Sequence, residues 1–188
     1  RRLVRANDVP DIAAVRALPL LAWGRRFLPN YFRHEPSALH RLLEDRFAVA
    51  ELERGMKLNV IGPRGGAKST VGTLAWVLRA AVEAAEPYVW IVSDTRSQAE
   101  NHLQNVRTEL LENSALASAY PRAVGRGPVW RRNVIELPNG TVVEALGTGQ
   151  RMRGRRQREN RPTLIVCDDL EDDAQIENKD SRDKFQRW

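Results

Sequence analysis

Two stretches of this chain carry residue types whose spacing could do chemistry. The first is Gly62-Pro63-Arg64-Gly65-Gly66-Ala67-Lys68-Ser69, which follows G-x-x-x-x-G-K-[ST] except that Ala67 stands in the second glycine position. In that spacing a sharp turn from strand to helix points backbone N–H groups inward, and these cradle phosphate oxygens at the helix N-terminus. Gly65 and Gly66 carry no Cβ to hinder close approach. Lys68 offers a point charge to β- and γ-phosphates, and the Ser69 hydroxyl a ligand for Mg²⁺. Gly62, Arg64, Gly65, Gly66, Ala67, Lys68, Ser69 and Thr70 are therefore the candidate residues for binding ATP with Mg²⁺. Ala67 fits this scheme if its backbone already has helical φ. Arg64 could reach the γ-phosphate as a finger or sensor; the plainer alternative is a surface arginine on a loop.

The second stretch is Leu164 to Cys167 followed by Asp168-Asp169. Four apolar residues read as a buried strand of a parallel sheet, and a carboxylate at its end suits a hard cation. Asp168 is the candidate Mg²⁺ ligand together with Ser69. Asp169 is favoured as the base that orients or deprotonates an attacking water, with Glu171 as runner-up. A solvated acidic loop is the bland alternative. Just upstream, Arg151 to Arg161 holds six arginines and one acid. Such a run could complete a neighbour's phosphate site, grip nucleic-acid phosphates, or simply face water.

Elements that could position these residues alternate in type. Residues 1–54 read as a mostly helical segment punctuated by Pro10, Pro19, Pro29 and Pro36, with Ser37 capping a helix that runs to about Glu53. Residues 55–188 read as the core. Met56 to Ile61 is a strand candidate leading into the glycine-rich loop. Val71, Leu74, Ala75, Leu78, Val82 and Ala85 then recur at helical spacing. Tyr88 to Val92 is a second strand. A helix follows from about Ser97, where Ser97 and Glu100 have capping-box spacing and Ala99, Leu103, Val106 and Leu110 form the apolar stripe. Pro138-Asn139-Gly140 between Val134–Leu137 and Thr141–Leu146 marks a hairpin. Strands alternating with amphipathic helices predict a three-layer α/β fold.

The 188 residues, 42% hydrophobic and 29% charged, suit an ordinary globular domain. No apolar run reaches the roughly 18 residues that span a bilayer, so no membrane partner is expected. The lone Cys167 excludes an internal disulfide, and a reducing, cytoplasmic setting is the default. His34, His40 and His102 lack metal-ligand spacing. A net charge of +6 fits a polyanionic partner.

Taken together, GPRGGAKST, YVWIVSDTRSQAENHLQNVRTELLEN, IELPNGTVVEALGTGQ and RMRGRRQRENRPTLIVCDDLEDD resemble the large terminase subunits of tailed phages. The resemblance implies a RecA-like (ASCE) P-loop ATPase core with an inserted β-hairpin. It also implies a homo-oligomeric ring that pumps double-stranded DNA into a procapsid in the host cytoplasm, with a portal protein and a small terminase subunit as partners. Arg64 matches the arginine of the family's phosphate loop, and Arg153 a position where some members supply a finger to the neighbouring subunit. No glutamine-based adenine motif is evident upstream, and Phe32, His34 and His40 are weak candidates for that pocket. The family's later sheet strand, coupling motif and C-terminal nuclease have no evident copy before Trp188. Two rivals share the phosphate loop: a helicase-type translocase, which would need a second motor lobe, and a non-hydrolysing DNA-binding module with a vestigial nucleotide site.

Overall fold

The structure, a computed structural model, describes residues 11–150 and 152–170. Its N-terminal part is helical, as the sequence predicts. Helix α1 (Ile12–Arg16) starts where the Asp11 carboxylate accepts the Ala13 N–H, and α2 (Leu20–Phe27) starts after Pro19. Helix α3 (Ala38–Leu52) is capped by Ser37. Leu20, Leu21, Trp23 and Phe27 lie on the buried side of α2, and the Trp23 indole donates to the Tyr120 hydroxyl at 2.9 Å.

Four strands form one sheet in the order β2-β3-β1-β4: β1 (Tyr88–Ser93), β2 (Val134–Glu136), β3 (Val142–Gly147) and β4 (Leu164–Cys167). Strands β3 and β4 lie parallel to β1 on either side, and β2 is antiparallel to β3. The hairpin turns at Gly140, whose φ of +87° is open to glycine at little cost. The hairpin is thus part of the main sheet, with β3 beside its central strand, and not an addition to it.

Alternate residues of the strands face opposite ways. Val89, Ile91, Ile135, Val143 and Ala145 join the large core that every helix packs into. Tyr88, Trp90, Val92, Val142 and Leu146 face the other side, where Met152 and Leu170 lie against them. Among the described residues, then, helices cover one face and the arginine-rich loop the other. This is two layers of regular structure in place of the three expected.

Helix α5 (Arg96–Glu112) buries Ala99, Leu103, Val106 and Leu110, the stripe read from the sequence. Its cap is Thr95, whose hydroxyl accepts the Gln98 N–H at 3.2 Å, and not Ser97. Glu100 is unavailable for the expected capping box because Arg96 and Arg132 each bind it at 2.7 Å. Helix α6 (Ser114–Ala119) follows, capped by Asn113.

Two expectations fail on the flank that carries the glycine-rich loop. Residues 56–61 join no strand; Leu58 is 38% and Ile61 89% exposed, and only Val60 packs on the core. Strand β4 has the predicted bounds and direction, but it is an edge strand. Its burial alternates, and Ile165 is 50% exposed. The reason is shared: a strand's backbone groups and apolar side chains need neighbours on both sides to be buried, and among the described residues β4 pairs only with β1.

Candidate nucleotide-phosphate site

The chain leaves residues 62–67 and becomes helical at Lys68 and Ser69. Residues Thr70–Trp76 then wind as a π-helix and continue as α4 (Val77–Val82). Val71, Leu74, Ala75, Leu78 and Val82 of the predicted stripe are buried even where the winding is wider, but Ala85 lies exposed beyond the end of α4. The Asn139 amide at the hairpin turn donates to the Ala81 carbonyl at 2.8 Å. At the other end, the Thr73 hydroxyl donates to Asp168 Oδ2 at 2.6 Å. This helix therefore runs antiparallel to β1 and β4, and its N-terminal end lies at the carboxyl edge of the parallel strands. In open α/β sheets that edge is where ligands bind.

Three strand ends meet there. The Asp168 N–H donates to the Val92 carbonyl and the Asp94 N–H to the Asp169 carbonyl, both at 2.8 Å. Thr148, following β3, donates its N–H to the Ser93 carbonyl at 2.9 Å and its hydroxyl to the Asp94 carbonyl at 2.7 Å. Gly147 must be glycine for this closure, because a Cβ would stand 2.4 Å from the Arg96 nitrogen. His102 of α5 brings Nε2 to 3.7 Å from Asp168 Oδ2. The Ser93 hydroxyl is buried and has no hydrogen-bond partner among the described residues.

Compared with protein-family models, curated proteins and solved structures, the chain matches none. What the site can do therefore follows from its own residues and their placement.

Of the sequence candidates, the loop and Asp168 are brought to one edge of the sheet through Thr73, one turn of helix beyond Ser69. Asp168 is half-buried and Asp169 exposed. Asp169 holds φ +49°, a left-handed turn that aspartate tolerates better than most residues. Arg64 is exposed on the loop and Gly65 has φ +76°. Ala67 departs from expectation: its φ is +51°, left-handed and not helical, because the chain must reverse there to enter the helix. Lys68 folds back over the loop and donates to the Gly62 and Pro63 carbonyls at 2.9 and 2.8 Å. Glu171 and Arg151 lie outside the described residues.

The arginine-rich loop divides. Arg155 binds Glu144, which also accepts the Tyr88 hydroxyl, and Arg158 binds Glu136 at 3.0 Å. Arg153, Arg156 and Arg161 are exposed. Burial and the neighbouring Glu144 push the Tyr88 hydroxyl up to about 12.

Sequence reasoning missed Thr73, His102, Asp94 and Thr148. Thr73 had a signal, a hydroxyl four positions after Ser69 inside an apolar stripe. The other three had none, because only the sheet order brings their strand ends together.

A cavity of about 190 Å³, lined in part by Pro87, Asn139, Gln157 and Arg158, lies at the opposite, amino edge of the strands and takes no part in this site. Among the described residues no helix is long and apolar enough to cross a membrane.

Proposed function

We propose that this chain is the ATP-hydrolysing part of a DNA-packaging motor of the large-terminase type, with residues 1–54 as a helical lid-like segment and 55–188 as a RecA-like core. The observation that carries the reading is the hydrogen bond from Thr73 to Asp168. It ties the helix that leaves the lysine-serine turn to the carboxylate at the end of β4, two features far apart in sequence that a nucleotide site needs together.

In this reading Lys68 exchanges its two loop carbonyls for the β- and γ-phosphate oxygens of ATP. Ser69 and Asp168 would hold Mg²⁺, which supplies charge neutralisation at the transferred phosphoryl. Among the described residues, no three acidic, histidine or cysteine groups gather to hold a metal by themselves. One carboxylate and one hydroxyl are the sparse protein share that Mg²⁺ takes when phosphates complete its shell, so the residues fit the ion. Thr73 holds Asp168 in place by its hydrogen bond, and His102 lies 3.7 Å from the same carboxylate oxygen on another helix. Asp169, at the exposed end of the strand, orients or deprotonates the attacking water, and Glu171 is the other residue in reach by sequence. Arg64 serves as sensor or finger on its own loop, and Arg153 as a finger to a neighbouring copy in a ring. Arg156 and Arg161, both exposed, would meet the phosphates of double-stranded DNA in this reading.

The test is ATP binding and hydrolysis by the chain, with and without DNA, in the wild type, Lys68→Ala and Asp168→Asn. Lys68→Ala is expected to lose ATP binding. Asp168→Asn is expected to stay folded and lose roughly 10²–10³-fold in turnover, the scale seen when one electrostatic group of a site is removed. Undiminished ATP binding in Lys68→Ala would overturn the assignment. Lys68-dependent binding with no turnover under any condition would favour the vestigial, non-hydrolysing module.

A further inference from the structure

We propose that His40 is a positioning residue for the phosphate loop, setting the orientation of the peptide between Gly66 and Ala67 from the N-terminus of α3. The inference rests on the nucleotide reading for its functional consequence, but its structural part stands on geometry alone.

His40 occupies the third position of α3 and closes a capping box in which a histidine replaces the usual glutamate or glutamine. Its Nδ1 accepts the Ser37 N–H at 3.2 Å. That bond fixes the tautomer: the proton of the neutral ring is on Nε2. Nε2 lies 2.9 Å from the Gly66 carbonyl oxygen, so it donates there. One imidazole thus joins two structures, the helix cap on one side and the loop on the other. Leu39 reinforces the contact. A Cβ on Gly62 or Gly66 would stand 3.3 or 3.4 Å from its Cδ2, so the leucine packs directly on both glycines.

The consequence follows from peptide planarity. In a trans peptide the C=O and the next N–H point in opposite directions. Holding the Gly66 carbonyl toward His40 therefore turns the Ala67 N–H away from α3. The same peptide orientation accompanies the left-handed φ of +51° at Ala67, a conformation a residue with a Cβ adopts only when its surroundings hold it there. Rotating the peptide the other way would release Ala67 to an ordinary conformation and turn its N–H toward α3. His40 opposes that rotation, and so holds the Gly66–Ala67 peptide in this orientation, while the Gly66 N–H turns back to the Pro63 carbonyl at 3.3 Å.

The cap and loop functions can be separated. His40→Gln keeps a side chain that completes a capping box but is too short to reach Gly66; His40→Ala removes both. Each variant is compared with wild type for melting temperature, for amide hydrogen exchange at residues 64–69 of the ligand-free chain, and for affinity toward a fluorescent ATP analogue. His40→Gln is expected to melt close to wild type, while exchange in the loop speeds up about tenfold and affinity falls about tenfold, the effect of losing one hydrogen bond of this kind. With Gly at position 67 the strain is gone, so His40→Gln in an Ala67→Gly background should change exchange and affinity by less than half as much. Unchanged loop exchange in His40→Gln overturns the proposal, whatever happens to ATP. Faster loop exchange in a chain whose wild type binds no ATP analogue would uphold the positioning role and remove the nucleotide reading instead.

Discussion

The two flanks of the sheet are built differently. On the side of β3, strand β1 is buried at every position, and Glu144 sits between Tyr88 and Arg155 with its carboxylate satisfied from both. On the side of β4, burial alternates, Ile165 is half exposed, and the residues leading into the glycine-rich loop join no strand. The chain's candidate chemistry lies on this second, open flank, at left-handed Ala67 and Asp169. Burial is concentrated on one side and accessible strand edge on the other, while left-handed residues occur on both, Ala84 and Arg158 lying beside the hairpin. That split in burial is the one expected where a scaffold holds a site whose backbone must stay open to a ligand.

The comparison breaks most simply on core truncations. Leu103 is fully buried beneath β1 and β3, and Leu103→Ala should lose about 2–5 kcal/mol, the range for a leucine removed from a packed core. Ile165→Ala on β4 should lose less than about 1 kcal/mol, because half of that side chain already meets water. Urea unfolding of the two variants checks this. Equal losses would mean that β4 is covered to the same degree as the rest of the sheet.

Alkaline pH tests the closed flank next. Tyr88 titrates at about 12 in the folded chain, above the ordinary value of 10.0. A raised folded value means that the neutral hydroxyl is preferred by the folded state. Its contribution is therefore whole below pH 10 and is lost as the pH climbs toward 12. Two pH units correspond to about 2–3 kcal/mol at 1.36 kcal/mol per unit. Denaturant unfolding at pH 9 and near pH 12 should show a drop in the wild type, to which Tyr120, its hydroxyl also raised by burial, contributes as well. Tyr88→Phe should shrink that drop by about 2–3 kcal/mol. An equal drop in both would remove Tyr88 from the account.

The closed flank was largely legible in the sequence, and the open one was not. Tyr88–Ser93, the Pro138-Asn139-Gly140 turn and the stripe Ala99, Leu103, Val106, Leu110 each announce themselves through local pattern, because both faces of those elements find partners within the chain. Met56 to Ile61 carries the same kind of apolar signal, yet local pattern cannot say whether a neighbour strand is present to receive it. The candidate site shows the same division. Lys68, Ser69 and Asp168 stand in recognisable spacings. Thr73 and His102, which meet Asp168, are visible only once the helix direction and strand order are known. Ala67 was misjudged for a related reason: the loop spacing gives its place but not the sign of its φ.

The smallest effect separates strain that serves the site from strain that does not. Ala67 and Ala84 have nearly the same left-handed backbone, with φ of +51° and +53°. Ala84 merely ends α4, and its N–H closes on the Ala81 carbonyl in a turn at a helix terminus. A glycine at either position relieves about 1–2 kcal/mol of Cβ strain and costs about 0.4–1 kcal/mol in unfolded-chain entropy. Each substitution should therefore stabilise the chain by up to about 1.5 kcal/mol, a few degrees in melting temperature for a chain of this size. Only Ala67→Gly should also alter the exchange of amides 64–69, since only that residue is held through the Gly66 carbonyl. If Ala84→Gly moved the loop amides as much, the left-handed alanine at 67 would be an ordinary turn residue, and the open flank would owe its strain to chain reversal alone.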